Sequence, residues 1–206
     1  PNYRVHLLQP PNDPRYPSQW ALPKIGAPAA WTRTTGARTL VAIVDTGIDL
    51  AHEDLGPVLW SNPGETSGNG IDDDGNGVVD DVHGARFIAG VSGNPNDDEG
   101  HGTHVAGSVG AATDNQLGVA GVSWQGDLMA VKFLDSGGSG SSSDGAKSIV
   151  YAVSNGAQFI QCSWGSYAAS RVVQDAVTFA ERAGRVIVAA AGNERNDNDS
   201  SRRMYP

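Results

Sequence analysis

Apolar residues in this chain follow two patterns. Unbroken short runs at residues 39–44, 128–134, 159–162 and 185–191 have the length and branched content of strands buried on both faces. Between the second and third runs, residues 144–155 set Ile149, Val150 and Val153 at helical spacing, and Gly156 follows as a stop. Between the third and fourth, residues 170–183 align Val173, Ala176, Val177 and Ala180 on one face ahead of Gly184. Strand, helix, strand, helix, strand implies parallel pairing through right-handed crossovers. The expected fold is α/β, an open parallel sheet flanked by helices. Residues 1–38, rich in Pro and Arg, read as an extended arm, and residues 56–96, loaded with Gly, Asn, Asp and Pro, read as a loop.

Composition narrows the function classes. A chain of 206 residues suits one α/β domain with a substantial core rather than two. A net charge of −9 argues against nucleic acid, whose phosphates need a basic surface, and suits a protein that binds cations. Cys162 is the single cysteine, so no internal disulfide forms, although a domain of this size needs none for export. No apolar run reaches the length of a membrane span, and no charged-then-apolar leader opens the chain. Either the protein stays inside the cell or a leader has been removed.

Ligands of open parallel sheets bind beyond the carboxyl ends of the strands. Asp45-Thr46-Gly47 follows the first run, and Asp135-Ser136-Gly137-Gly138-Ser139-Gly140 follows the second. Ser163-Trp164-Gly165 follows the third, and Gly192-Asn193-Glu194 the fourth. A separate stretch, His101-Gly102-Thr103-His104-Val105-Ala106-Gly107, starts a helix with His101 near its beginning. An acid, an imidazole, a side-chain amide and glycine-lined backbone are the parts of an acyl-transfer site. The acid fixes the imidazole tautomer, the imidazole carries a proton between nucleophile and leaving group, and the amide donates to an oxyanion. His101 and His104 at i,i+3 without a nearby acid make poor zinc spacing. Asp135-Ser136-Gly137-Gly138 imitates the nucleophile segment of chymotrypsin-like proteases, but those need β-barrels and the order His, Asp, Ser.

The stretches around Asp45, His101 and Asn193, in that order, resemble the subtilisin family of serine proteases (subtilases), from about Pro10 to residue 206. Asn12-Asp13-Pro14 through Trp31 is similar to its thermitase-like branch. The resemblance implies Asp45 and His101 as triad members and Asn193 as oxyanion donor. It implies that Gly138, Ser139 and Gly140 on one side, and Ser163, Trp164 and Gly165 on the other, sandwich a polypeptide substrate, with Trp164 near the first specificity pocket. It further implies a nucleophile in a Gly-Thr-Ser-Met-Ala-like segment downstream of Asn193, and no such segment occurs in these 206 residues. Three expectations follow: a piece of a cleaved enzyme whose partner fragment carries the serine, a truncated and inactive form, or a homologue that only binds peptides. Residues 10–206 are then the N-terminal portion of a peptidase domain, with apolar surface left for a partner fragment. Gln161-Cys162 departs from the Asn-Met or Asn-Asn usual before Ser163.

Calcium is the expected cofactor. Asp72, Asp74 and Asn76 occupy positions 1, 3 and 5 of an EF-hand-like loop, with Gly77 at 6 and the Val78 carbonyl at 7. His83 stands where a bidentate Glu would close the loop, so Asp80 or Asp81 supplies those oxygens; the alternative is a solvated acidic loop. By resemblance alone, Asp13, Asp54 and Asn115, with carbonyls near Leu117 and Val119, form a second site that ties the N-terminal arm down. Pro1-Asn2-Tyr3-Arg4 resembles the end of a subtilase propeptide, which makes residues 1–9 a maturation junction, a propeptide a partner, and the protein secreted.

Overall fold

Strands β1 (Leu40–Asp45), β2 (Gly84–Ile88), β3 (Val91–Gly93), β4 (Asp127–Lys132), β5 (Phe159–Cys162) and β6 (Val186–Ala189) form one sheet in the order β3-β2-β4-β1-β5-β6. All neighbours pair in parallel except β3, which runs antiparallel to β2. Among the described residues five α-helices accompany them: α1 (Ala21–Lys24), α2 (Ala27–Trp31), α3 (His101–Gly110), α4 (Ser142–Ser154) and α5 (Arg171–Arg182). The computed structural model describes residues 10–195, 197–199 and 203–206. The maturation junction expected at residues 1–9 lies outside the described residues.

Side-chain alternation divides the core into two layers. Ala42, Val44, Met129 and Val131 point to the face covered by α4 and α5, where Ile149, Ala152, Val173 and Ala176 meet them. Ile43, Leu128 and Ala130 point to the other face and pack with Ala106 of α3. Burial on both faces explains why β1 and β4 read as unbroken apolar runs. The Ser141 hydroxyl caps α4 by accepting from the Asp144 N–H, and the Asp144 carboxylate accepts from Ala89 and Gly90 N–H, which pins the β2–β3 turn.

The central elements lie where the apolar pattern predicts, and two regions depart from it. The stretch read as an extended arm is coiled into a 3-10 turn and the short helices α1 and α2. Leu22, Ala27 and Trp31 bury against Ala120, and Trp31 meets Trp124 edge-on at 5.2 Å. These partners are remote in sequence, so no local period announces them. Within residues 56–96, β2 and β3 add two strands. Gly84 and Ala85 pair with Ala130 and Val131, so β4 supplies the template that the Gly-Ala-Arg sequence lacks by itself.

Candidate active site

The turn after β1 and the first turn of α3 are wedged together. Gly47 has φ +110, and a Cβ there would lie 2.3 Å from the Pro95 carbonyl oxygen; a Cβ on Gly102 would lie 2.1 Å from the Gly47 carbonyl oxygen. Backbone contact this close sets Asp45 against His101. His101 Nδ1 lies 2.7 Å from Asp45 Oδ1, which also accepts from the Thr46 N–H at 2.7 Å. Thr46 Oγ1 accepts from the Gly102 N–H at 2.8 Å, a second tie between turn and helix. With the carboxylate on Nδ1, that nitrogen carries the proton and the lone pair is left on Nε2.

Electrostatics agree with this polarity. The hydrogen bond to Asp45 holds the His101 imidazole above the ordinary 6.5, with the Asp45, Glu99 and Asp97 charges adding to the effect against partial burial. Burial pushes the Asp45 carboxyl up, against the hydrogen bonds from His101 and Thr46 that pull it down. Asp45 is fully buried, and its Oδ2 has no hydrogen-bond partner among the described residues. Asp97 fixes the approach to α3: burial raises it, but the Thr103 hydroxyl and the N–H groups of Gly100, Glu99 and Thr103 outweigh burial and hold it at about 2.

The remaining predicted residues lie on the same edge, because parallel strands end together. Asp135 Oδ1 accepts from Gly137 and Ser139 N–H and folds the segment holding Gly138, Ser139 and Gly140 into an exposed turn. Beyond β5, Ser163 Oγ lies 2.9 Å from Gln161 Nε2. Trp164 donates from Nε1 to the Val44 carbonyl at 2.8 Å and stacks edge-on with Phe133 at 4.7 Å. Its indole thus forms a wall fixed to the strand that carries Asp45. Beyond β6, Asn193 is exposed, and its N–H donates to the Glu194 carboxylate at 2.9 Å. Residues 204–205 return beside Gly165, and Tyr205 pairs with Ser166 through two backbone hydrogen bonds of 2.8 and 2.9 Å. No apolar run in the sequence announces that return; Met204 and Tyr205 stand alone after a polar stretch.

The acidic loop holds its charges unevenly. Glu65, Asp74 and Asp81 bring carboxylate oxygens within 4.8 Å of one another. Asn62 and Asn76 amides bridge Asp74 and Asp81, and the Tyr151 hydroxyl of α4 donates to Asp81. Among the described residues no Lys or Arg pairs with the three acids. Glu65 Oε2 is buried without a partner, which suits a cation ligand. Asp72 instead accepts from Asn76 and Gly77 N–H, Val78 sits in the core, and Asp80 accepts from Asn69 and Gly70 N–H. Glu65 lies outside the EF-hand-like spacing and only the fold brings it in. Asp13, Asp54 and Asn115 of the second predicted set each make hydrogen bonds with or within the stretch of residues 114–119. Asn115 Nδ2 and the Val119 N–H both donate to Asp54, Asn115 Oδ1 accepts from the Leu117 N–H, and buried Asp13 accepts from the Asp114 N–H while its Oδ1 has no partner. Left-handed φ at Asp114, Gln116 and Gly118 turns this backbone around Asp54.

Comparison with known proteins bears on the family and the fold. A profile of the subtilase family (Peptidase_S8) matches residues 36–206. Thermitase from Thermoactinomyces vulgaris is 37% identical over 90% of this chain and 59% of its own length. A thermophilic serine proteinase from Bacillus sp. (strain AK1) is 35% identical over 100% of this chain and 45% of its own. The chain thus spans about half the length of the curated relatives it matches. A solved protease from Pseudoalteromonas arctica PAMC 21717 superposes with a TM-score of 0.73 at 29% identity, covering 90% of this chain and 60% of that one. By the profile match, the relatives and the shared fold, this chain belongs to the subtilase family.

Proposed function

We propose that these residues form the acid–base part of a calcium-stabilised serine endopeptidase. The observation that carries this reading is the buried Asp45 carboxylate on His101 Nδ1, with Nε2 left free at the carboxyl edge of a parallel sheet. His101 takes the nucleophile's proton on Nε2 and returns it to the leaving amine, while Asp45 stabilises the imidazolium that forms between the two steps. Asn193 donates its side-chain amide to the carbonyl oxygen as it becomes an oxyanion. Gly138, Ser139 and Gly140 face Ser163, Trp164 and Gly165 across an extended polypeptide, whose backbone they bind edge to edge. The serine nucleophile comes from sequence beyond these residues, in a partner fragment or a continuation of the chain.

Calcium at both acidic sites stabilises the fold by binding the native state preferentially. Glu65, Asp74, Asn76 and Asp81 hold one ion, with Asp72, Asp80 and the Val78 carbonyl at the loop's edges. Asp13, Asp54, Asn115 and the carbonyls of Leu117 and Val119 hold the other. We place the protein outside the cell, with a propeptide as its folding partner; among the described residues no helix is long and apolar enough to cross a membrane. The test is fluorophosphonate labelling and peptide hydrolysis by the full-length, calcium-loaded protein. Labelling abolished by His101→Ala supports the enzyme. A folded full-length protein that neither labels nor cleaves sinks it, and leaves a catalytically incomplete homologue that binds peptides.

A further inference from the structure

The one lysine in the core has no part in the chemistry above. Lys132 ends β4 in register with Asp45, is 2% exposed, and directs its three N–H donors to three different segments. It donates to the Thr46 carbonyl at 2.6 Å, the Leu134 carbonyl at 2.7 Å and Asp98 Oδ1 at 2.7 Å. We propose that Lys132 is a positioning residue that sets the Asp45–His101 geometry by holding these three segments on one ammonium group.

Each segment leads to a different part of the site. Thr46 donates its N–H to Asp45 and its hydroxyl oxygen accepts from the Gly102 N–H, so its carbonyl is the remaining handle on the turn that carries Asp45. Asp98 stands between Asp97, which accepts from the first turn of α3, and Glu99, which accepts from the His101 N–H. Leu134 opens the stretch that runs to Gly138, Ser139 and Gly140. Three donors on one rotatable nitrogen match three acceptors from separate directions, which the planar fork of an arginine would not. Burying a cation is costly unless it is fully hydrogen-bonded, and here every donor is used. An apolar residue there would avoid that cost but would leave the Thr46 and Leu134 carbonyls and Asp98 without this donor. The hydrogen bonds of Lys132 end on Thr46, Leu134 and Asp98, not on Asp45 or His101, so its hold on the pair passes through the backbone that carries them.

This inference rests on the proteolytic reading, and its test separates the two. In the intact calcium-loaded protein with labelled histidines, NMR follows the His101 Nδ1–H resonance and the His101 titration midpoint. Lys132→Met moves that proton upfield, speeds its exchange with water and lowers the His101 midpoint toward 6.5. In the active enzyme kcat falls about 10²-fold with KM nearly unchanged, as expected for displaced catalytic groups. Should the methionine variant fail to fold, Asp98→Asn changes an exposed partner and gives a smaller shift in the same direction. Folded variants with an unchanged His101 resonance and midpoint overturn the proposal. Asp45→Asn is the control: if it too leaves His101 unchanged, the Asp45–His101 reading fails instead.

Discussion

The centre of the sheet and its β6 edge differ in how firmly their end groups are held. β4 and β1 lie at its centre, buried on both faces, and the groups at their ends are held by several partners each: Asp45, Thr46, Lys132 and, through them, His101. β5 and β6 lie toward one edge. Val186 is 48% exposed and Val188 46%, β6 has one paired neighbour among the described residues, and Asn193 beyond it touches the solvent. The Asp45–His101 pair is therefore set by the core, whereas Asn193 beyond β6 is set by an exposed edge. Preorganisation follows burial: a carboxylate with fixed donors in a dry site keeps its geometry, and an exposed amide does not.

The comparison breaks most sharply at Asp45. Asp45→Asn in the active enzyme should lower kcat by about 10⁴-fold, the loss typical of a triad aspartate replaced by its amide; steady-state kinetics reads it. The same substitution changes the pH dependence of stability. With the His101 pKa raised in the folded state, the stability that the pair gives through His101 is complete below 6.5 and is lost as pH rises through the folded value. Asp45, raised by burial, acts in the same sense from 3.8 upward. Denaturant melts across pH should show this slope in the wild type and not in Asp45→Asn.

A smaller but still large effect belongs to the wedge between turn and helix. Gly102→Ala places a Cβ 2.1 Å from the Gly47 carbonyl oxygen, and forcing backbone apart there should cost about 3 kcal/mol. Gly107→Ala, on the same helix with its nearest neighbour at 3.9 Å, is the matched control; thermal melts of both variants compare them. Removing calcium comes next. Chelation should destabilise by about 2.7 kcal/mol per site filled at a hundredfold excess over Kd. Glu65→Gln should abolish part of that difference by calorimetry, and Asp13→Asn another part. An unchanged melting temperature with chelator would overturn both sites. The smallest effect sharpens the contrast at β6: Val188→Thr should change stability by no more than about 0.5 kcal/mol, while Val131→Thr in buried β4 should cost several times that amount.

Much of the site was legible because its parts follow strands. Asp45, Ser163 and Asn193 each stand where an apolar run ends, and a parallel sheet collects strand ends on one edge. The helices of residues 142–154 and 171–182 were legible from their period. Other features had no local signal. Glu65 joins Asp74 and Asp81 through the path of a long loop, the arm coils because Trp31 finds Trp124, and β2 is a strand because β4 offers it an edge. Cys162, next to the departure at Gln161, is pushed by burial to about 12, so it acts as a small apolar filler under the site.

By itself the sequence determined the alternation of strands and helices, the order of the chemical groups along them, and the surplus of acids that favours cations, because periodicity, turn residues and charge are local properties. Only the tertiary structure decided which carboxylates share a site, that Lys132 ties three segments together, and that residues 204–205 return beside Gly165. Those depend on contacts between residues far apart in the chain, and a contact of that kind exists only once packing has brought its partners together.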